Sequence, residues 1–312
     1  MPARYLSLAP FIAWKGSERP INWTQRFGRT APLEVEIGFG NGEFLVRQAR
    51  TCQERNFVGL DLEWTSVQRG LRKVAQAALP NVRLLQVDAR VAMARLFQPV
   101  SLTRVYALFP CPWPKERHVK NRLFSQDFLQ VLNSRLRPDG EIQMVTDDEA
   151  YLQWVMAQVP GSGFDVSWTQ VPPRFSTKYE RKWHARGQNR FYEMHLRKLQ
   201  ALAMPLREDI TLQAHRVESF SPETFRPRGG RGEVAVQFKD FLFDPQRQIG
   251  MVWVFATEGA FCQDFWIEIC RHDGCWAIRP ARGCSIVPTV GVQRALDLVR
   301  DAILNPTSTL AE

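Results

Sequence analysis

Short apolar runs alternate with stretches of helical period from about residue 33 to residue 200, the rhythm of a β/α fold. Leu33-Glu34-Val35-Glu36-Ile37 reads as a first strand. It opens into Gly38-Phe39-Gly40-Asn41-Gly42, after which Phe44, Leu45 and Ala49 share one face of a helix. A second strand is expected from Asn56 to Asp61, followed by a helix from about Trp64 to Leu79 that Pro80 stops. Val82 to Val87, closed by Asp88, makes a third strand, and Thr103 to Phe109 a fourth. A helix from about Leu123 to Leu136 ends at Arg137-Pro138-Asp139-Gly140, a turn sequence, before a fifth strand over Glu141 to Val145 and its closing Thr146-Asp147. Phe164 to Thr169 and Arg190 to Arg197 suit a final antiparallel pair.

The pattern changes near residue 201. Pro222, Pro227 and Arg228-Gly229-Gly230-Arg231-Gly232 mark a loop, and Val234, Val236 and Phe238 alternate with polar neighbours as in a half-buried strand. Met251 to Phe255 and Phe265 to Ile269 are further strands, and Val292, Ala295, Leu296, Val299 and Ile303 share a face of a closing helix. Two domains are therefore expected: an α/β domain over 1–200, its first 30 or so residues an extension, and a smaller α+β domain over 201–312 without a catalytic motif. A length of 312 residues allows both, since single cores stop growing near 250–300 residues.

Composition adds direction. Lys and Arg total 41 against 32 Asp and Glu, a net charge of +9, which favours phosphate-rich partners. The excess is uneven: 29 basic against 18 acidic residues up to residue 200, and 12 against 14 beyond it. No apolar run of membrane-spanning length and no secretory leader pattern is found, so a cytoplasmic protein with no membrane partner is expected. The six cysteines form no C-x-x-C pair and match no zinc template, so no metal is expected and the thiols read as buried and free.

The glycine loop has the spacing G-x-G-x-G, not the dinucleotide G-x-G-x-x-G. Its glycines allow positive φ and close approach of backbone to a ligand. Asp61 ends the second strand about 20 residues later, where a carboxylate can bind both ribose hydroxyls, and Asp88 lies where an adenine ring would sit. Taken singly, each Asp is equally a helix cap. No Lys or Arg sits in the loop, and Glu36 beside it would repel a pyrophosphate. A cationic nucleoside fits better than NAD or ATP, and S-adenosyl-L-methionine, with its sulfonium and ammonium charges, is that ligand.

Phe109-Pro110-Cys111-Pro112-Trp113-Pro114-Lys115-Glu116-Arg117-His118 follows the fourth strand. With Thr146-Asp147 and Thr177-Lys178-Tyr179-Glu180, it resembles the tRNA (guanine-N7)-methyltransferase family of bacteria over about residues 30–198. The resemblance implies a Rossmann-like class I S-adenosylmethionine-dependent methyltransferase sheet of seven strands, one of them antiparallel, acting on the variable-loop guanosine at position 46 of tRNA. It implies cofactor contacts from Glu36, Gly38, Gly40, Gly42, Asp61, Asp88 and the position of Cys111. It further implies RNA and guanine contacts from Lys115, Asp147, Thr177 and Glu180, with Cys111 and Asp147 at the catalytic positions.

One departure stands out. The resembling motif reads F-P-D-P-W-P-K, and Cys111 replaces its Asp, which belongs to the family's active site. Guanine N7 already carries a free lone pair, so methyl transfer needs orientation and charge accommodation more than a general base. Carboxylates such as Asp147 and Glu180 can accept hydrogen bonds from guanine N1–H and N2–H₂. Lys178, Arg181, Lys182, Arg186 and Arg190, interleaved with Tyr179 and Trp183, read as part of an RNA track. The alternatives are a catalytically weakened or inactive tRNA-binding homologue, and an N7-methyltransferase acting on another RNA.

Overall fold

The structure is a computed structural model that describes residues 5–305 apart from 186, 188 and 189. It forms two compact units, Met1–Arg207 and Glu208–Glu312. The expected boundary at residue 200 moves because the following segment is hydrogen-bonded to the first unit. Fully buried Arg135 donates to the carbonyls of Met204 and Pro205, Leu202 N donates to Asn133 Oδ1, and Arg207 N donates to Ala94 O.

The first unit begins with a segment that belongs to the sheet rather than hanging from it. Phe11 bridges Leu84 in parallel, the Trp14 indole donates to Gln86 O at 3.0 Å, and helix α1 (Trp23–Phe27) is capped by Asn22. Then follow β1 (Leu33–Ile37), α2 (Glu43–Thr51), β2 (Asn56–Asp61), α3 (Trp64–Gln76), β3 (Val82–Gln86), α4 (Ala89–Arg95) and β4 (Leu102–Leu108). After these come α5 (Gln126–Arg135), β5 (Leu136–Thr146), α6 (Glu149–Gln158), β6 (Phe164–Val171), α7 (Lys178–His184) and β7 (Phe191–Lys198). The sheet order is β3-β2-β1-β4-β5-β7-β6; β1 to β5 are parallel, and β7 is antiparallel to both neighbours. Strand order reverses between β1 and β4, the switch point at which open α/β sheets bind ligands.

One local expectation is corrected. Arg137-Pro138-Asp139-Gly140 does not turn the chain ahead of β5. Leu102 pairs with Leu136 and Arg104 with Glu141, so these four residues bulge within β5, with 137–139 exposed. The helix passes directly into the strand at Leu136, whose fully buried side chain anchors the junction.

In the second unit, β8 (His215–Val217), β9 (Val234–Asp244), β10 (Ile249–Glu258), β11 (Phe261–His272) and β12 (Cys275–Pro280) form an antiparallel sheet in the order β8-β12-β11-β10-β9, followed by α8 (Val290–Leu304). Val252, Val254, Phe265, Ile267 and Ile269 pack against Val292, Ala295, Leu296 and Val299 of α8 on one face. Among the described residues no helix is long and apolar enough to cross a membrane. All six cysteines are free, but the expectation of burial fails for most: only Cys270 is buried, and Cys111 and Cys262 are exposed.

Candidate active site

The acidic and glycine residues singled out from the sequence all lie at the carboxyl edge of the parallel strands. Gly38 follows β1, Asp61 ends β2, Asp88 follows β3, the proline-rich segment follows β4 and Asp147 follows β5. A narrow cleft opens at the β1/β4 switch point, lined among others by Glu36, Gly38, Gly40, Phe44, Leu108 and Thr177. Gly42, Asp61, Asp88, Cys111, Lys115, Asp147 and Glu180 do not line this cleft.

The loop that shapes the cleft is held open by its backbone. Gly38, Gly40 and Gly42 all have positive φ, and a Cβ on Gly38 would meet nothing within 4 Å, so its hydrogen faces open space. Asp61 fastens the loop: Oδ2 accepts from Gly40 N at 2.9 Å and Oδ1 from Glu63 N at 2.9 Å. Between the glycines, Phe39 turns inward against Gly59 and Gly70, where added Cβ atoms would lie 2.7 and 2.8 Å from its ring. No periodicity signals that wedge, because it joins residues from three elements.

Glu34 and Glu36 are both buried on the same face of β1, 1% and 3% exposed. Glu34 is fully partnered, by the Arg55 guanidinium at 2.5 Å and the Tyr106 hydroxyl at 2.9 Å. Glu36 has a buried Oε2 with no hydrogen-bond partner. Burial pushes its carboxyl well above the usual carboxylate range and the Asp61 charge adds to this, against the opposing influence of Leu45 N–H and Arg47. A buried carboxyl with one unpartnered oxygen beside an open glycine cradle can receive a hydrogen-bond donor or a positive charge.

The remaining candidates divide by what already holds them. Asp88 caps α4 through Arg90 N at 2.7 Å and pairs with the Arg90 guanidinium at 2.9 Å, so the helix-cap reading is realised there. Thr177 is the N-cap of α7, and Glu180 in its first turn reaches back to the turn that precedes the cap. Thr177 Oγ1 accepts from Glu180 N at 3.1 Å, while the Glu180 carboxylate accepts from Arg174 N at 2.6 Å, Phe175 N at 2.9 Å and Ser176 N. Three backbone donors therefore occupy Glu180, and its effect is to set the turn that places Thr177 on the cleft wall. Ser176 in this turn has φ +53, a strained value for a side-chain-bearing residue.

Arg181 is not free for an RNA track: its guanidinium binds Glu43 at 2.8 Å and Ser176 O at 2.6 Å. Arg47 reaches Phe175 O at 2.6 Å, so two arginines tie this turn to α2. Lys182 lies 5.3 Å from the centre of the Trp183 ring. Arg186 and the side chains of Lys178 and Tyr179 lie outside the described residues.

The proline-rich segment is also strained. Phe109 and Trp113 have φ of +56 and +44, and Phe109 N is anchored to Val145 O at 2.7 Å. Cys111 and Lys115 are exposed. Arg122, which the sequence reading passed over, clamps the segment by donating to Pro112 O at 2.8 Å and Trp113 O at 3.4 Å while lying over Trp154 at 5.1 Å. Asp147, half-buried at the end of β5, has its carboxyl raised by burial and by neighbouring Asp148.

A glycine cradle and closing carboxylates at the switch point of a β3-β2-β1-β4-β5-β7-β6 sheet define a Rossmann-like class I S-adenosylmethionine-dependent methyltransferase. Residues 30–193 match a family described as putative methyltransferase, and a tRNA (guanine-N7)-methyltransferase of Thermotoga maritima is 35% identical over 274 residues, 85% of this chain and 87% of that protein. The chain belongs to the tRNA (guanine-N7)-methyltransferase family. Proteins of the same name from Chlorobium phaeobacteroides and Aquifex aeolicus are 44% identical over 166 residues (53% of this chain, 81% of that one) and 28% identical over 298 (93% and 97%). S-adenosyl-L-methionine is the cofactor of this class, and the residues present fit it: Glu36 offers an unpartnered buried carboxyl oxygen, Gly38 and Gly40 a backbone cradle.

Proposed function

We propose that the protein transfers a methyl group from S-adenosyl-L-methionine to N7 of guanine in tRNA, at the variable-loop guanosine in position 46. The observation that carries the cofactor half of this reading is the contrast on β1, where both carboxylate oxygens of Glu34 are partnered and Oε2 of Glu36 is not. The family relationship supports the tRNA half. When bound, S-adenosylmethionine supplies an electrophilic methyl on a sulfonium. Glu36, Gly38 and Gly40 hold it, and Asp61 keeps the glycine loop in shape.

The chain's own part is orientation. Guanine N7 needs no deprotonation, so no residue has to act as a strong base. Asp147 accepts hydrogen bonds from the guanine N1–H and N2–H₂ donors, Thr177 contributes from the cleft wall, and Lys115 meets a phosphate. Cys111 is tolerated in place of an aspartate because positioning dominates. Glu180 acts as a positioning residue through the turn it caps.

The test is methyl incorporation from labelled cofactor into two tRNA transcripts, one with guanine and one with adenine at position 46. Incorporation into the first alone is expected. Equal incorporation into both contradicts the position, and none into either contradicts the activity.

A further inference from the structure

The outer face of the second unit's sheet is a row of aromatic rings. Alternation along β10 sends Val252, Val254 and Ala256 to the helix-covered core and leaves Met251, Trp253 and Phe255 on the opposite face. Trp266 of β11, paired directly with Trp253, joins them. Trp253 and Trp266 lie 6.0 Å apart with planes 18° from parallel, and Trp253 lies 5.8 Å from Phe255. All three rings are half-buried, so each keeps part of its surface in solvent.

Cations border this row. Lys239, at a bulge in β9, stands 5.3 Å from the centre of the Phe255 ring. Arg226, Arg228 and Arg231 are exposed on the loop before β9. That loop is fixed, because Gly230 and Val236 exchange backbone hydrogen bonds of 3.0 and 2.9 Å. The fit is close enough that a Cβ on Gly229 would lie 2.3 Å from Val236 O. The next residue after Val236, Gln237, pairs with Phe255, so the arginine loop is pinned at the Phe255 end of the row. Asp240 and Asp264 flank the rings opposite Trp253 and Phe255.

We propose that this face is a stacking platform for unpaired nucleotides of RNA. Flat rings in a row accept successive bases whatever their identity, and neighbouring cations meet the phosphates between them. Asp240 and Asp264 can accept hydrogen bonds from base amino groups. The unit's slight acidic excess is a sum over the whole unit, whereas beside the rings three of the twelve basic residues beyond residue 200, Arg226, Arg228 and Arg231, stand in one fixed loop with Lys239 next to it. The identity of the strand as tRNA depends on the function proposed above; the binding of single-stranded RNA does not.

The experiment uses the full chain, a fluorescent ten-nucleotide single-stranded RNA of mixed sequence, and tRNA. Parent protein should bind the oligonucleotide with quenching of its tryptophan emission. Trp253→Ala with Trp266→Ala should weaken oligonucleotide binding about tenfold or more and raise KM for tRNA, with kcat and cofactor affinity unchanged. Trp253→Phe with Trp266→Phe should restore most of the affinity, and Arg228→Ala with Arg231→Ala should flatten its salt dependence. Affinity within twofold of the parent, in an alanine variant with an unchanged melting curve, overturns the proposal. So does a change in oligomeric state with RNA affinity intact, which would make the face a contact between copies. Tryptophan-dependent oligonucleotide binding without methyl transfer to tRNA would uphold the platform and defeat the methyltransferase reading.

Discussion

At the scale of single residues, two glutamates on one strand separate structure from function. Replacing Glu34 by Gln leaves the Arg55 guanidinium and the Tyr106 hydroxyl poorly matched, so the expected result is a lower melting temperature with cofactor affinity intact. Glu36→Gln should do the reverse. Folding raises the Glu36 pKa, so its charged form opposes folding at neutral pH, and that opposition eases as pH falls through the raised value. The Gln variant without cofactor should therefore melt higher at neutral pH, and its cofactor Kd measured by calorimetry should rise about tenfold or more, some 1.4 kcal/mol. Both Glu36 and Asp147 are pushed upward by burial, so activity should decline on the acid side at a pH above the ordinary carboxylate range. Cys111→Ala should retain turnover within about tenfold of the parent, whereas Asp147→Ala should cost about a hundredfold or more. Equal loss at both in steady-state assays would contradict the account of positioning.

At the scale of elements, the strands and their closing residues were legible because short apolar runs, continuous in Phe57–Leu60 and alternating with glutamate in Leu33–Ile37, each end at glycine or aspartate. The glycine loop was legible because three glycines in five residues, Gly38 to Gly42, directly follow the first of these runs. What escaped the sequence was long-range. Arg122 over Trp154, Arg47 on Phe175 O and the Phe39 wedge each join residues from separate elements, and no local pattern encodes them. The Thr-x-x-Glu spacing was visible, yet only the folded chain shows Thr177 capping α7 and three backbone donors of the preceding turn occupying Glu180. The turn expected at Arg137–Gly140 failed because a bulge in a strand uses the same residues. Two outcomes follow. Gly70→Ala should force Phe39 and Leu84 apart, lowering stability by about 1–3 kcal/mol in denaturant melts and weakening cofactor affinity through the displaced loop. Thr177→Ala should cost about 1 kcal/mol of stability and impair turnover beyond that, since the cap also shapes the cleft wall.

At the scale of the whole molecule, the basic excess resides before residue 201, on the side of the chain that carries the methyltransferase motifs. tRNA affinity should therefore fall steeply with salt, and Lys115→Ala should reduce the log–log slope by about 0.7–0.9 with no change in cofactor affinity. The second unit contributes no net positive charge, which is why its proposed RNA contact depends on stacking more than on attraction at a distance. The central claim concerns the product of the reaction. Nucleoside mass spectrometry of an unmodified tRNA transcript, after incubation with the purified chain and S-adenosylmethionine, tests it most directly. The account predicts 7-methylguanosine, and much less of it with Glu36→Gln at a cofactor concentration near the parent Kd. A transcript that remains free of 7-methylguanosine, or that carries its methyl on another base, would contradict it.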